Sequence, residues 1–130
     1  MEKIGILVPV WNEAETLPGL LASIKAHVPN NTPIMVVDDG STDGSGEIAG
    51  EYASHVIRLP KNGGPGFARK VGLESFLREP DPVDYVITLD ADGQHRPDFI
   101  PSVHSSLLAG YDLVICSQFH PKSPQVETPF

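Results

Sequence analysis

Ile4-Gly5-Ile6-Leu7-Val8-Pro9-Val10 is a short apolar run with no polar side chain in it. Such a run, rich in β-branched residues, suits a strand buried on both faces. From Glu13 to Ala26 the pattern changes, and Leu17, Leu20, Leu21 and Ile24 recur at helical spacing. Asn12 is placed to cap that helix, with Glu13 and Glu15 at the positive end of its dipole. Pro18 belongs to its first turn or to a local distortion. The same alternation continues along the chain. Apolar runs recur at Ile34–Val37, His55–Leu59, Tyr85–Leu89 and Leu113–Cys116. Between them, amphipathic stretches run through Ile48 to Tyr52, from Gly66 to Leu77, and from Pro97 to Leu107. Thr42 or Asp43 is expected to cap the first of these. Phe67, Val71 and Phe76 or Leu77 are expected to face inward from the second. The order β-α-β-α-β-α-β-α-β predicts an α/β fold: three layers, α/β/α, around a mostly parallel sheet.

The chain has 130 residues, which suits one domain. Residues 1–119 carry the alternating pattern. Residues 120–130 read as a proline-containing tail, extended or disordered, with Pro121, Pro124 and Pro129. A net charge of −8 excludes a general basic footprint for nucleic acid or for an anionic membrane. It also means that an anionic substrate needs a recruited positive charge. Cys116 is the single cysteine, so no intrachain disulfide forms, in agreement with a reducing compartment. The opening apolar run is too short for a signal peptide's core followed by a cleavage site. No stretch approaches the ~18 apolar residues of a membrane span. A cytoplasmic protein is the expectation.

In an open parallel sheet, ligands bind outside the carboxyl ends of the strands. The loops expected there carry Pro9-Val10-Trp11-Asn12-Glu13, Asp38-Asp39-Gly40-Ser41, Asn62-Gly63-Gly64-Pro65 and Asp90-Ala91-Asp92-Gly93-Gln94-His95. All are polar or glycine-rich, and the loops of the opposite edge are poorer. Asp90 and Asp92, one residue apart at a strand end, suit a hard cation such as Mg²⁺ or Mn²⁺ held together with substrate phosphates. Such a cation would offset the charge on a departing diphosphate. The plainer reading makes Asp92-Gly93 a turn and Asp90 a cap. Asp38 and Asp39 either cap a turn or accept hydrogen bonds from a base N–H or a ribose hydroxyl, and one residue can do each. Trp11 either stacks on a base or covers the sheet edge. Glu13 binds ribose or favours the helix start. The glycine-rich turn from Asn62 is structural first and a phosphate loop second. It matches neither a Walker loop nor Gly-x-Gly-x-x-Gly. Arg69 reaches a phosphate or sits on the surface. His95 is a third metal ligand or a pyrophosphate contact, whereas the other histidines have no zinc spacing. No Gly-x-Ser-x-Gly is present and Cys116 has no activating neighbour in sequence, so Ser and Cys nucleophile hydrolases fall. A haloacid dehalogenase type of phosphotransferase ranks low, because its Asp-x-Asp follows the first strand rather than the fourth.

Together, Ile6 to Glu13, Val36 to Ser45, Asn62-Gly63-Gly64 and Leu89 to His95 resemble the inverting family 2 glycosyltransferases of GT-A fold. The closest flavour is that of the dolichyl- or polyprenyl-phosphate sugar synthases. The likeness spans residues 4 to 119 in order and at family-like spacing. It implies metal-dependent transfer of a sugar, of hexosyltransferase type, from a UDP- or GDP-sugar with inversion, and a polyprenyl phosphate or glycan acceptor. By the same resemblance Pro9, Trp11 and Glu13 match donor-nucleotide contacts, with Trp11 where the family often has Tyr. Val37 and Asp39 match the base-binding pair. Asp90 and Asp92 match the metal and diphosphate motif, with Ala91 between them and Gln94 just after. Ser117-Gln118-Phe119 resembles the family's Gly-Ser-Arg-Tyr or Phe segment, with Gln118 in place of Arg. The family's catalytic domain continues beyond this length, and its second half supplies the acceptor site and usually the base. The expectation is therefore a donor-binding half: a truncated chain, one completed by another copy or a partner, or a non-catalytic nucleotide-sugar-binding module. A position peripheral to the membrane goes with a lipid acceptor.

Overall fold

The computed structural model describes residues 3–80, 82–91, 96–110, 115–117 and 125–127. Strands β1 (Ile4–Val10), β2 (Ile34–Asp38), β3 (His55–Arg58) and β4 (Tyr85–Thr88) form one sheet in the order β3-β2-β1-β4. Every pairing in it is parallel. Helices α1 (Leu17–Ala26), α2 (Ser45–Tyr52) and α3 (Pro65–Arg78) make the crossovers, and α4 (Ile100–Leu108) follows β4 through a 3₁₀ turn at Pro97–Phe99. β1 and β2 are buried along their whole length, whereas β3 and β4 are partly exposed. Their places explain the difference, since the first two are central and the last two lie at the sheet's edges.

The two-residue alternation of a strand sorts the apolar side chains onto two faces. Ile4, Ile6, Val8, Val10, Ile34 and Val36 enter one core with Leu17, Leu21 and Ile24 of α1, Ala49 of α2, and Ile100, Val103 and Leu107 of α4. Leu7, Met35 and Val37 enter a second core with Ala68 and Phe76 of α3. The three-layer α/β/α reading is thus observed, with α1, α2 and α4 on one face and α3 on the other.

Local expectations differ at four places. Helix α1 begins at Leu17 rather than near Glu13, with Pro18 in its first turn, and Thr16 rather than Asn12 stands at its N-cap. Proline is tolerated there because its missing N–H has no helical partner in any case. Helix α3 turns Ala68, Gly72 and Phe76 inward, while Phe67 and Leu77 are exposed. The reason is close packing: a Cβ at Gly72 would overlap the Leu7 side chain, so the helix presents its smallest residues to the sheet. Helix α2 has Gly44, at φ +91°, as its cap residue. Asp43 still serves its first turn, because its Oδ1 accepts from the Ser45 N–H and hydroxyl. Finally, the fifth strand was expected in the parallel sheet. The described part, β5 (Ile115–Ser117), pairs antiparallel with β6 (Gln125–Glu127), which lies in the expected tail. A local antiparallel partner satisfies its ladder without a crossover helix.

Candidate functional site

The sheet order runs outward from β1 to β3 and then returns to place β4 on the other side of β1. That reversal is a topological switch point, where the loops on either side diverge and leave a crevice at the strands' carboxyl ends. A cleft of about 260 Å³ lies there. It is lined by Pro9, Val10, Trp11 and Glu13 after β1, Asp39 after β2, Asn62, Pro65, Ala68 and Arg69 after β3, and Asp90 and Ala91 after β4. All four carboxyl-end loops converge on it.

The adjacent carboxylates after β2 divide their work. Asp38 turns into the protein: its Oδ1 accepts from the Ser41 N–H at 3.0 Å, and its Oδ2 lies 3.7 Å from Arg58 Nε. Asp39 lines the cleft and holds the glycine-rich turn, with Oδ1 accepting from Gly63 N–H at 2.8 Å and Oδ2 from Gly64 N–H at 2.9 Å. Gly40, between β2 and this contact, has φ +78°, and a Cβ on it would meet the Lys61–Asn62 backbone at 2.7 Å. Only glycine satisfies both the left-handed backbone and the close approach. Each Asp39 oxygen has two acceptor directions, so one hydrogen bond apiece leaves acceptor capacity on both.

The β1 loop is laced to the β2 loop. Asn12 N–H donates to Ser41 Oγ, and Asn12 Oδ1 accepts from Thr42 N–H at 2.8 Å. Glu13 N–H donates to Ser45 Oγ, and Ala14 N–H to Asp43 Oδ2. Asn12, at φ +52°, therefore spends its side chain across the sheet rather than on α1. The polar segment 41–45, whose expected role was to cap its own helix, also anchors the neighbouring loop. Single-sequence reading missed this because hydrogen bonds between loops 29 to 32 residues apart leave no local spacing signal.

Pro9, Trp11, Glu13, Asp39, Asp90 and Ala91, all singled out from sequence, share the cleft. Trp11 is 53% exposed and lines the cleft. Val37 is placed elsewhere: it is fully buried in the second core, because alternation along β2 turns it toward α3. Asp92, Gln94, His95, Gln118 and Phe119 lie outside the described residues. Asn62, Pro65 and Arg69 of the glycine-rich turn and α3 also reach the cleft, together with Val10 and Ala68, which carried no chemical signal in the sequence. Arg69 Nη2 donates to Asp90 Oδ1 at 2.8 Å. Among the described lining residues, Glu13, Asp39 and Asp90 face one guanidinium, so the cleft is acidic. No group of three or more His, Cys, Asp or Glu side chains is arranged to hold a metal among the described residues. A Mg²⁺ or Mn²⁺ site that shares substrate phosphates asks for fewer, one or two carboxylates. Asp90, a third exposed at the cleft wall, fits that donor set.

Fold and cleft together define a three-layer α/β domain with an acidic crevice at its switch point. A profile of glycosyl transferase family 2 matches residues 5–129. The chain belongs to that family. It is 34% identical over 122 residues to the polyprenol monophosphomannose synthase of Mycolicibacterium smegmatis, covering 89% of this chain and 45% of that protein. It is 38% identical over 123 residues to the undecaprenyl-phosphate 4-deoxy-4-formamido-L-arabinose transferase of Yersinia enterocolitica, covering 88% of this chain and 36% of the relative. The chain thus spans less than half the length of these relatives. Among solved structures, glucosyl-3-phosphoglycerate synthase of Mycobacterium tuberculosis, in complex with Mn²⁺, UDP and glucosyl-3-phosphoglycerate, superposes with a TM-score of 0.68 at 26% identity. That match covers 84% of this chain and 40% of the synthase. S. aureus TarS in complex with UDP-GlcNAc gives a TM-score of 0.66 at 27% identity, covering 82% of this chain and 31% of TarS. The parallel sheet with its flanking helices is the GT-A arrangement of these neighbours. Among the described residues no helix is long and apolar enough to cross a membrane.

Proposed function

We propose that this chain binds the donor for an inverting sugar transfer: a nucleoside diphosphate-sugar, with UDP or GDP as nucleotide, held with Mg²⁺ or Mn²⁺. The observation that carries this reading is the convergence of all four carboxyl-end loops on one acidic cleft that contains Asp39, Asp90 and Arg69. The relatives named for polyprenyl- and undecaprenyl-phosphate sugar transfer, and the neighbours bound to UDP, UDP-GlcNAc and Mn²⁺, support it.

In this proposal Trp11 and Pro9 flank the base and Glu13 meets the ribose. Asp39 accepts from a base N–H with the capacity left after its two backbone bonds. Uracil and guanine each offer such an N–H. Asp90 and Asp92 hold the metal beside the diphosphate, with Ala91 and Gln94 lining the approach. Bound there, the metal supplies Lewis-acid stabilisation to charge developing on the departing diphosphate. Arg69, already ion-paired to Asp90, carries the positive side chain of the described wall toward the same phosphates. Residues 1–119 form the donor-binding part and residues 120–130 the tail. The acceptor is a polyprenyl phosphate or a glycan, and a lipid acceptor puts the protein at the cytoplasmic face of a membrane, without a span of its own among the described helices.

Isothermal calorimetry with UDP and GDP, with Mn²⁺ and with EDTA, tests the reading. One nucleotide is expected to bind in Mn²⁺ and to lose most of its affinity in EDTA. Asp90→Asn and Asp92→Asn should each cut the Mn²⁺-dependent affinity by at least about tenfold, the size found even for outer-shell metal partners. Asp90 lies outside every strand and helix, so Asp90→Asn should keep the fold. No binding of either nucleotide would defeat the proposal. Binding without donor turnover would support the non-catalytic module.

A further inference from the structure

Thr16 stands at the N-cap of α1, where a threonine hydroxyl ordinarily accepts a hydrogen bond from the helix's first turn. Here it makes no such bond. Pro18, second in the helix, has no N–H to offer. The Thr16 hydroxyl donates instead to the Ala91 carbonyl oxygen, at 2.5 Å and across 75 residues of sequence. Two other acceptors, Glu13 O and Glu13 Oε2, both lie 3.4 Å away, too far to compete for the single hydroxyl proton. Ala91 is buried, and a buried carbonyl needs a donor.

The neighbours of Ala91 show what this bond holds. Leu89 N–H donates to Leu7 O at 3.0 Å, which ties the chain to β1. Asp90 is ion-paired to Arg69 of α3. Thr16 ties Ala91 to α1. The turn after β4 is thereby fixed from the central strand and from both helical layers. Ala91 follows Asp90 directly, so a bond that holds the Ala91 carbonyl also limits how far the Asp90 backbone can shift.

We propose that Thr16 is a positioning residue for Asp90, fixing through the Ala91 carbonyl the backbone that presents this carboxylate to a metal-bound diphosphate. The inference rests on the nucleotide-sugar reading above and adds a residue that touches neither nucleotide nor metal.

Thr16→Val removes the hydroxyl at nearly constant volume, and Thr16→Ser restores it. The full chain is measured in two ways. Amide hydrogen exchange across residues 88–91 needs no ligand. It should speed up in Thr16→Val and return to the parent rate in Thr16→Ser. Calorimetry with the nucleotide that the parent binds should show about a tenfold loss of Mn²⁺-dependent affinity in Thr16→Val. Affinity in EDTA should be unchanged, and Thr16→Ser should recover the loss. A general loosening of the fold would lower both affinities together. The proposal is overturned if Thr16→Val leaves exchange and the Mn²⁺ increment as they are, or if Thr16→Ser fares as badly as Thr16→Val. If the parent chain binds neither UDP nor GDP, the functional reading fails. The exchange comparison then decides the tether by itself, and an unchanged rate overturns it.

Discussion

Asp43 lies at the surface, yet its carboxyl is held below the ordinary aspartate range, chiefly by the Ser45 hydroxyl and further by the Ala14 and Ser45 N–H groups. Glu47 is held low by its own N–H and by Arg58. A carboxylate with a lowered folded pKa stabilises the fold at pH above its unfolded value, and that contribution is lost as pH falls through the folded value. Acidification below about pH 4, the unperturbed aspartate value, should therefore release the Ala14 N–H and unlace the β1 and β2 loops. The amide shifts of Ala14 and Ser45, followed by NMR, should titrate with a midpoint below that value, and Asp43→Asn should abolish the titration. A midpoint at or above the ordinary value would contradict the lacing. The sequence offered Thr42 or Asp43 as a cap but could not tell that the N–H which Asp43 serves at Ala14 belongs to another loop. Adjacent Asp38 and Asp39 make the same point. Their two candidate roles were legible, whereas the assignment of the inward role to Asp38 and the cleft to Asp39 depends on Arg58 and the Gly63-Gly64 turn, which only folding brings near.

Among the elements, α3 departs furthest from its sequence pattern. Apolar periodicity pointed Phe67, Val71 and Phe76 or Leu77 inward; Phe76 is buried and Val71 packs beside it, whereas Phe67 and Leu77 are exposed. Beside Phe76 the sheet receives the small residues Ala68 and Gly72, with Leu7 filling the space next to Gly72. Small residues at this contact let the helix axis approach the sheet, which also brings Arg69 and Ala68 to the cleft wall. Gly72→Val should cost about 1–3 kcal/mol by overpacking. Urea unfolding should show a lower midpoint with an unchanged slope. Shortening Leu7 to Val in the same chain should return part of the loss, because neighbours in contact are not additive. A wild-type midpoint for Gly72→Val would show that α3 packs differently. The central strands, by contrast, were plain from sequence. β1 and β2 are covered on both faces, so they carry continuous apolar runs that need no tertiary information to recognise.

At the scale of the whole molecule, two cores on opposite faces of one sheet make a rigid support for loops that all open on the same edge. A ligand that binds only the folded chain stabilises it by mass action, by about 2.7 kcal/mol at a hundredfold excess over its Kd. Under the proposed function, UDP or GDP with Mn²⁺ should raise the Tm of this 130-residue chain by several degrees, and EDTA should erase the shift. Scanning calorimetry that finds the same Tm with and without saturating nucleotide and Mn²⁺ would count against a site built on this scaffold. The amino-acid sequence alone determined the alternation of strands and helices, the parallel three-layer class, and the loops that carry polar chemistry. These follow from hydrophobic periodicity and turn composition, which are properties of neighbouring residues. Tertiary structure decided which side chains share the cleft, that Val37 packs inside the second core, and that Thr16 reaches Ala91. Those outcomes depend on helix approach distances and on hydrogen bonds between distant loops, and residues far apart in the chain acquire a mutual geometry only once the sheet has assembled.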